Sequence, residues 1–338
     1  MVHDRGTSGV ACDTTARFEL VCWEANHGDF PNVDDLVASI MGAPTDPSIQ
    51  VAQNTSRSKQ LVAAQARLYS DAKDIHNARL LLVLFFAFLT SLCAIVFPDA
   101  RSYIGAVAGF ALLGMSLVVT SVEKRRRFLA VSIQEEFDTG IYQLPWNGML
   151  ADRPSSVAIA QAAKRYDRGR DANWYSDTGT TQRPFDVLIC QMTNLGWGAS
   201  LHRLWAALLG LALFGIAAAV TLVTWLLHLS FLDCVLALIV PWLAPAKELV
   251  DLIRANVDSA NSKESLERQI VNVWKEGLGG KNILIETCRL IQDRILHIRQ
   301  SNAYVPDWLD SVRRGKSQAT MDSIVAAMVE EAKFSGHA

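Results

Sequence analysis

The chain has 338 residues and a formal net charge of -2; half of the residues are hydrophobic and 20% are charged. This near-neutral balance gives no reason to expect a nucleic-acid polymer as a partner, because such a partner normally requires a basic surface. Because the mean hydropathy is +0.17 despite the charged residues, the apolar residues must be concentrated in blocks, which predicts a membrane protein with sizeable soluble parts.

Residues 1–47 form a polar, acidic segment without helical periodicity. No apolar run in it is long enough for a secretory signal peptide, so we expect the first apolar run to stay in the membrane as an anchor. Two interpretations stay open: a disordered extension, or a stretch upstream of a translation start at Met41.

Residues 48–79 are predicted to form a cytoplasmic amphipathic helix that runs straight into the first apolar run. Their apolar residues recur in three- and four-residue steps, at Leu61, Ala64, Leu68, Ala72 and Ile75. This helix would either act as a stiff lever into the bilayer or pack on the other soluble helices, and the two roles are compatible.

Four apolar runs predict four membrane crossings, arranged as two helical hairpins. The hairpins occupy residues 80–122 and 204–246, and each contains two runs separated by a short turn. A helix needs about 20 predominantly apolar residues to cross the hydrocarbon core. Pro241 and Pro245 predict a kink near the end of the fourth crossing.

Lysine and arginine residues near the run ends predict the orientation. They concentrate on one side, at Arg79, Lys124, Arg125, Arg126, Arg127, Arg203, Lys247 and Arg254. The opposite turns contain only Arg101 and His228. By the positive-inside rule, both termini and residues 123–203 lie in the cytoplasm.

The segments 123–203 and 247–338 are predicted to be helical, which makes the chain an all-α integral membrane protein. One helix continues from the second crossing and ends before Gly140, and the last helix spans residues 322–334. Residues 284–298 show an apolar stripe typical of a helix packed against others, in the same chain or in a neighbouring one.

Sequence motifs give no support for catalysis. The six cysteines are scattered, the histidines are isolated, and no nucleophile, phosphate-binding or zinc motif occurs. We therefore expect no catalytic residue, no metal site and no cofactor. Asp233, near the start of the fourth run, is interpreted as a helix-start or interfacial residue in preference to an ion site.

Pairs of small residues, one helical turn apart, occur in two of the predicted crossings. Gly105 and Gly109 lie in the second crossing, and Gly215 and Ala219 lie in the third. Such pairs allow helices to approach closely, either within one chain or between copies.

A cluster of aromatic and polar residues in segment 123–203 is the candidate ligand site. Its members are Trp174, Tyr175, Arg183, Gln191 and Asn194. Aromatic faces beside arginine and amide groups can stack on and hydrogen-bond a nucleotide-like ligand. The same residues can equally form the core of a small helical domain.

Five motifs occur in the same order as in a known family: "LVAAQARLYSDAK", "IQEEFDTGIYQLPWN", "NWYSD", "CQMTNLGWGASLHRLW" and "VPDWLDSVRR". From about Ile49 to the C-terminus the chain resembles the SMODS-associated four-transmembrane effectors of bacterial antiphage, CBASS-type systems. After the tryptophan of "GWGAS", where the family has an acidic residue, this chain has Gly198.

The resemblance implies a multi-pass protein of the bacterial inner membrane. Its activating ligand would be a cyclic oligonucleotide made by a CD-NTase-type enzyme. The effector would then form a homo-oligomer and disrupt or permeabilise the lipid bilayer, causing abortive infection. The alternative is a non-pore scaffold that recruits a cytosolic partner through residues 284–298.

Overall fold

The computed structural model describes residues 47–338, except residues 168, 170 and 197. Every regular element in this part of the chain is helical. The elements in chain order are α1 (Ile49–Ala52), α2 (Ser56–Val96), a 3-10 turn (Pro98–Ala100), α3 (Arg101–Tyr142), α4 (Ser156–Lys164), α5 (Phe185–Gly196), α6 (Ala199–Leu226), α7 (Phe231–Cys234), a π-helical segment (Val235–Ile239), α8 (Val240–Leu278), α9 (Ile285–Ser301) and α10 (Asp307–Phe334). The two interpretations of the N-terminal extension concern residues outside the described part.

Helices α2 and α3 pack together as a long hairpin. Helix α2 begins where the side chain of Thr55 accepts a hydrogen bond from the Ser58 N–H at 3.2 Å. It then continues without a break to Val96, two residues before Pro98, which has no N–H donor to continue a helix. The helix predicted over residues 48–79 therefore begins at Ser56, after the separate short helix α1, and is continuous with the first apolar run.

The predicted end of α3 before Gly140 is wrong, because the helix continues to Tyr142. The end is set by Gln143, which adopts a left-handed conformation with φ of 58°. The Leu144 N–H then bonds to the Thr139 carbonyl at 2.9 Å, which satisfies a carbonyl of the last turn. A single glycine near a helix end is a weaker signal than this capping geometry.

The start of α7 confirms the interpretation of Asp233 as a helix-start residue. The Ser230 hydroxyl accepts from the Asp233 N–H at 3.2 Å and donates to the Asp233 carboxylate at 2.8 Å. Ser230 is the N-cap, and Asp233 lies in the first turn. Asp233 therefore helps to hold the start of the helix.

The distortion predicted at Pro241 and Pro245 occurs one turn earlier, as the π-helical segment Val235–Ile239. A proline within a helix has no N–H donor for the carbonyl four residues before it, and its ring crowds that carbonyl. For Pro241 this carbonyl belongs to Ala237, in the middle of the π-helical segment. The helix adjusts by widening before Pro241 and then continues through Pro245 as α8.

Within the described residues, two helical stretches are long and apolar enough to cross a membrane: Ser56–Val96 and Phe185–Leu226. They contain the first and third predicted crossings. The second and fourth crossings, at residues 102–122 and 231–246, are not among these two stretches. Membrane spanning by all four runs therefore stays a prediction.

The largest hydrophobic core joins residues of α2, α3, α5, α8, α9 and α10. The stripe of α9 is part of it, since Cys288, Ile291, Ile295 and Ile298 are all buried. Helix α9 therefore finds its packing partners in its own chain, and the scaffold interpretation, which needs this stripe for a partner, loses its main support.

The last helix is longer than predicted: it begins at Asp307 and not near residue 322. Pro306 stands at the N-cap position, and Asp307 and Asp310 lie in the first turn, where negative charge is favourable. These start signals outweigh the unfavourable effect of Gly315, a glycine in the interior of the helix.

Candidate functional site

A buried polar cluster lies inside the main hydrophobic core and connects several of its helices. We call it the core network and define it as the residues Glu135, Asp138, Tyr175, Asn194, Gln292 and Arg299. Two residues come from α3, one from α5, two from α9, and one from the loop before α5. Buried polar groups of this kind are stable only when they bond one another.

Four of these side chains form a closed ring of contacts. Arg299 donates to the side-chain oxygen Oδ1 of Asn194 at 3.0 Å, and the side-chain amide Nδ2 of Asn194 donates to the Tyr175 hydroxyl oxygen at 2.7 Å. The Tyr175 hydroxyl donates to Asp138 Oδ1 at 2.7 Å, and Asp138 Oδ2 lies 2.6 Å from Arg299. Burial and the neighbouring Asp138 raise the pKa of Tyr175 well above its ordinary value, so the hydroxyl remains a donor.

Glu135 extends the ring by one helical turn of α3. It forms an ion pair with Arg289 at 2.7 Å and accepts from Gln292 at 2.8 Å. Burial raises the pKa of Glu135, while Arg299 and Arg289 act in the opposite direction. Arg289 also contacts Asp293 at 2.6 Å and the Pro145 carbonyl at 3.0 Å. The network thus fixes α3 against α9 through charges that compensate each other.

The five predicted ligand residues are only partly brought together. Tyr175 and Asn194 belong to the ring, and Gln191, which is buried, donates to the Cys288 carbonyl at 2.8 Å and lies 3.3 Å from Gln292. These three side chains are therefore linked, and all three bond to groups of the chain itself.

The other two predicted residues lie apart from the ring. Trp174 is 41% exposed and lies edge-on to Phe137. Arg183 donates to the carbonyls of Ile141 at 3.0 Å and Tyr142 at 3.1 Å, which satisfies the last turn of α3. A ligand role for the five residues stays a prediction.

Sequence reasoning missed Glu135, Asp138 and Arg299, although a signal was present. Glu135 and Asp138 are three residues apart and share a helix face with the buried Ile141. In α9, Arg299 follows the buried Ile295 by one turn. Charged residues on the apolar face of a helix, in two helices and with opposite signs, predict a buried ion pair.

A second polar cluster joins three helices at the predicted cytoplasmic ends of the first, second and fourth apolar runs. We call it the junction cluster and define it as His76, Arg79, Glu123 and Glu248. Arg79 of α2 lies 2.5 Å from Glu248 of α8 and 3.6 Å from Glu123 of α3. His76 Nδ1 lies 3.4 Å from Glu123. Because Arg79 contacts two carboxylates, movement of one helix disturbs the contacts of the other two.

The small-residue pair in α6 lies on an exposed face. Gly215 and Ala219 are both exposed, and a Cβ atom placed at Gly215 would meet nothing within 4 Å. This face therefore does not pack closely against the chain itself. The surroundings of Gly105 and Gly109 lie outside the described part, and a role of either pair in self-association stays a prediction.

Comparison with known proteins agrees with the motif resemblance. The chain matches the family described as SMODS-associating 4TM effector domain over residues 47–328. A curated relative from Bacillus cereus (strain VD146), named a probable CBASS effector molecule, is 21% identical over 285 residues, which cover 80% of this chain and 95% of the relative. No solved structure matches the chain. Because the family match covers most of its length, the chain belongs to the SMODS-associating 4TM effector domain family.

Proposed function

We propose that the chain is a CBASS effector of the bacterial inner membrane that a cyclic oligonucleotide activates. Ligand binding on the cytoplasmic side drives assembly of several copies, and the assembly permeabilises the bilayer. The infected cell then dies or stops growing. Family membership and the printed name of the Bacillus cereus relative support the antiphage role.

The observation that carries the proposal is the continuity of α2. Leu61 and Leu68, near one end of this helix, are buried in the main core, whereas Phe85 and Phe88, near the other end, are more than half exposed. Apolar side chains on such an exposed face suit a lipid environment. A change in the core can therefore reach the membrane through one rigid helix.

The junction cluster supports transmission from α2 to other helices. Arg79 is the last residue before the first apolar run and contacts Glu248 of α8, which follows the fourth run. Rotation or sliding of α2 would separate these charges. Such a cluster favours discrete arrangements, because breaking a buried ion pair without a new partner costs several kcal/mol.

A single bundle of four helices packs its own core and leaves no aqueous path, so a pore needs several subunits or a large rearrangement, and the proposal takes the first route. The exposed face with Gly215 and Ala219 allows the close helix approach that self-association in a bilayer uses. By linkage, the ligand must bind the assembled state more tightly than the resting state.

We further propose four crossings with both termini in the cytoplasm. The helix ends support this arrangement, since the turns at residues 97–100 and 227–230 separate the apolar runs within each hairpin. In a cysteine-free background, Asp99→Cys and His228→Cys should react with an impermeant thiol reagent from the periplasm. Ser335→Cys should react only after the membrane is opened, and labelling of Ser335→Cys in intact cells would contradict the topology.

The assembly step is tested by light scattering on the purified full chain in detergent. The particle mass should increase by a whole number of subunits when the activating cyclic di- or trinucleotide is added. Linear nucleotides of the same bases serve as the control. An unchanged mass at saturating ligand, together with unchanged membrane leakage, would contradict the proposal.

A further inference from the structure

Three arginines converge on one buried carboxylate at the surface of the helical core. Asp71 of α2 forms ion pairs with Arg67 of α2 at 2.9 Å, with Arg126 of α3 at 2.8 Å, and with Arg165, directly after α4, at 2.8 Å. We call these four residues the Asp71 cluster. It joins α2, α3 and the end of α4.

The charges of this cluster do not balance. Three guanidinium groups share one carboxylate, and within the described part none of the three forms an ion pair with another acid. Another ion pair between α2 and α3 is balanced, since Arg57 meets Glu136 one to one at 2.5 Å. The Asp71 cluster therefore carries an excess of two positive charges.

The cluster is also accessible from solvent. The arginine side chains are 33%, 41% and 45% exposed, whereas the side chain of Asp71 is only 7% exposed. The buried carboxylate orients the three guanidinium groups from beneath. Each planar group has more N–H donors than its contact with Asp71 uses, so donors remain for an anion on the solvent side.

Arginine groups fixed in this way match the oxygens of a phosphate group, because the planar fork donates two parallel hydrogen bonds. We propose that Arg67, Arg126 and Arg165 form a binding site for a phosphodiester anion. If the anion is the activating cyclic oligonucleotide, the inference rests on the proposed function.

A phospholipid headgroup offers the same chemistry. Leu80 begins the first apolar run nine residues after Asp71, a distance of about 14 Å along the helix axis. If the hydrocarbon core begins at Leu80, as the predicted first crossing implies, arginine side chains near Asp71 reach the headgroup layer. Either phosphodiester would connect α2 and α3 on the predicted cytoplasmic side of the first hairpin. Its binding would therefore influence the position of the two helices relative to each other.

The experiment measures binding to the purified full chain in detergent, in two arms. The first uses fluorescent cyclic di- and trinucleotides, and the second uses phosphatidylglycerol against phosphatidylcholine with identical acyl chains. Arg126→Gln and Arg165→Gln are compared with wild type, and Arg57→Gln is the matched control because its ion pair is balanced. Helical content and melting temperature are recorded for each variant.

Loss of one charge-assisted contact should weaken binding roughly tenfold in Arg126→Gln and in Arg165→Gln. Arg57→Gln should bind like wild type, and added salt should weaken binding because the groups are exposed. The arm in which the two cluster variants bind more weakly than wild type identifies the source of the phosphodiester.

Two results would overturn the site. In the first, a cyclic nucleotide or phosphatidylglycerol binds wild type and both cluster variants equally. If a cyclic nucleotide still triggers leakage in that case, the site is wrong but the proposed function stands. In the second, wild type binds none of the cyclic nucleotides and does not prefer phosphatidylglycerol over phosphatidylcholine. Selective binding of phosphatidylglycerol alone would support the site and count against cyclic-nucleotide activation through it.

Discussion

The guanidinium of Arg299 lies 2.6 Å from Oδ2 of Asp138, a carboxylate whose side chain is completely buried. The two residues belong to α9 and α3, which are distant in the chain but adjacent in the core. Since Asn194 and Tyr175 close a ring with this pair, the position of α9 depends on a polar contact as well as on apolar packing.

Replacing Arg299 by Met should destabilise the folded chain by about 3–5 kcal/mol, because Asp138 would remain buried without its charge partner. The measurement is denaturant-induced unfolding in detergent. Arg57→Met is the control, since the Arg57 side chain is 46% exposed and its pair with Glu136 should contribute less than about 1 kcal/mol. Equal effects of the two substitutions would show that the core network does not hold the helices together.

Replacing Glu248 by Gln should raise leakage in the absence of ligand. The substitution keeps the shape of the side chain but removes the negative charge 2.5 Å from Arg79, so the link between α2 and α8 weakens by about 1–3 kcal/mol. Lys247→Gln is the adjacent control, because its ion pair with Asp251 is exposed. If neither variant leaks more than wild type in the absence of ligand, the junction cluster does not restrain the resting state.

Replacing Lys263 by Met should stabilise the chain in a pH-dependent manner. Burial, and then the positive charge of Arg299, lower the pKa of Lys263 from 10.5 to about 8. Lys263 is partly buried, and its ammonium group lies 3.1 Å from Nε2 of His202. Below pH 8 both folded and unfolded chains bind the proton, so the folded state carries the full cost of this partly buried charge. Between pH 8 and 10.5 only the unfolded chain still binds it, so the wild type gains stability as the pH rises.

The stability difference between Lys263→Met and wild type should therefore be about 1–3 kcal/mol at pH 7 and shrink toward pH 10.5. Thermal unfolding across this range measures it. Lys281→Met, at a side chain that is 66% exposed, should show no such trend. A difference that stays constant with pH would refute the assigned cause.

Replacing Gly215 by Leu should reduce ligand-triggered leakage roughly tenfold and leave the stability of the single chain within about 0.5 kcal/mol. Gly215 is exposed and a Cβ atom there meets nothing within 4 Å, so we expect the added side chain to extend away from its own chain, toward a neighbouring copy or lipid. Gly210→Leu is the control, because a Cβ atom at this partly buried position also meets nothing within 4 Å and points to another side of α6. Equal leakage in both variants would exclude this face from the assembly.

Much of the fold follows from patterns within single segments. The periodicity of residues 56–79 predicts α2, and Asp233 near the start of the fourth run predicts a helix start, because both signals act over one or two turns. Helix ends are harder to predict, since the left-handed conformation of Gln143 and the π-helical segment Val235–Ile239 depend on small differences between competing hydrogen bonds.

The candidate site was less predictable, because its contacts join residues far apart in the chain. The sequence indicates that Tyr175 and Asn194 are part of a polar cluster, but it does not show that Asp138 and Arg299 complete it. Arg183 was grouped with them by proximity in sequence, whereas it caps the end of α3. Side-chain partners across helices require the packing to be known.

Ligand-gated permeabilisation is the central claim, and dye leakage from liposomes that contain the purified protein tests it most directly. A panel of cyclic di- and trinucleotides is added to liposomes in which the protein is folded and inserted, with protein-free liposomes as the control. We predict that one cyclic nucleotide releases the dye from the protein-containing liposomes alone. Retention of the dye with every member of the panel would contradict the account.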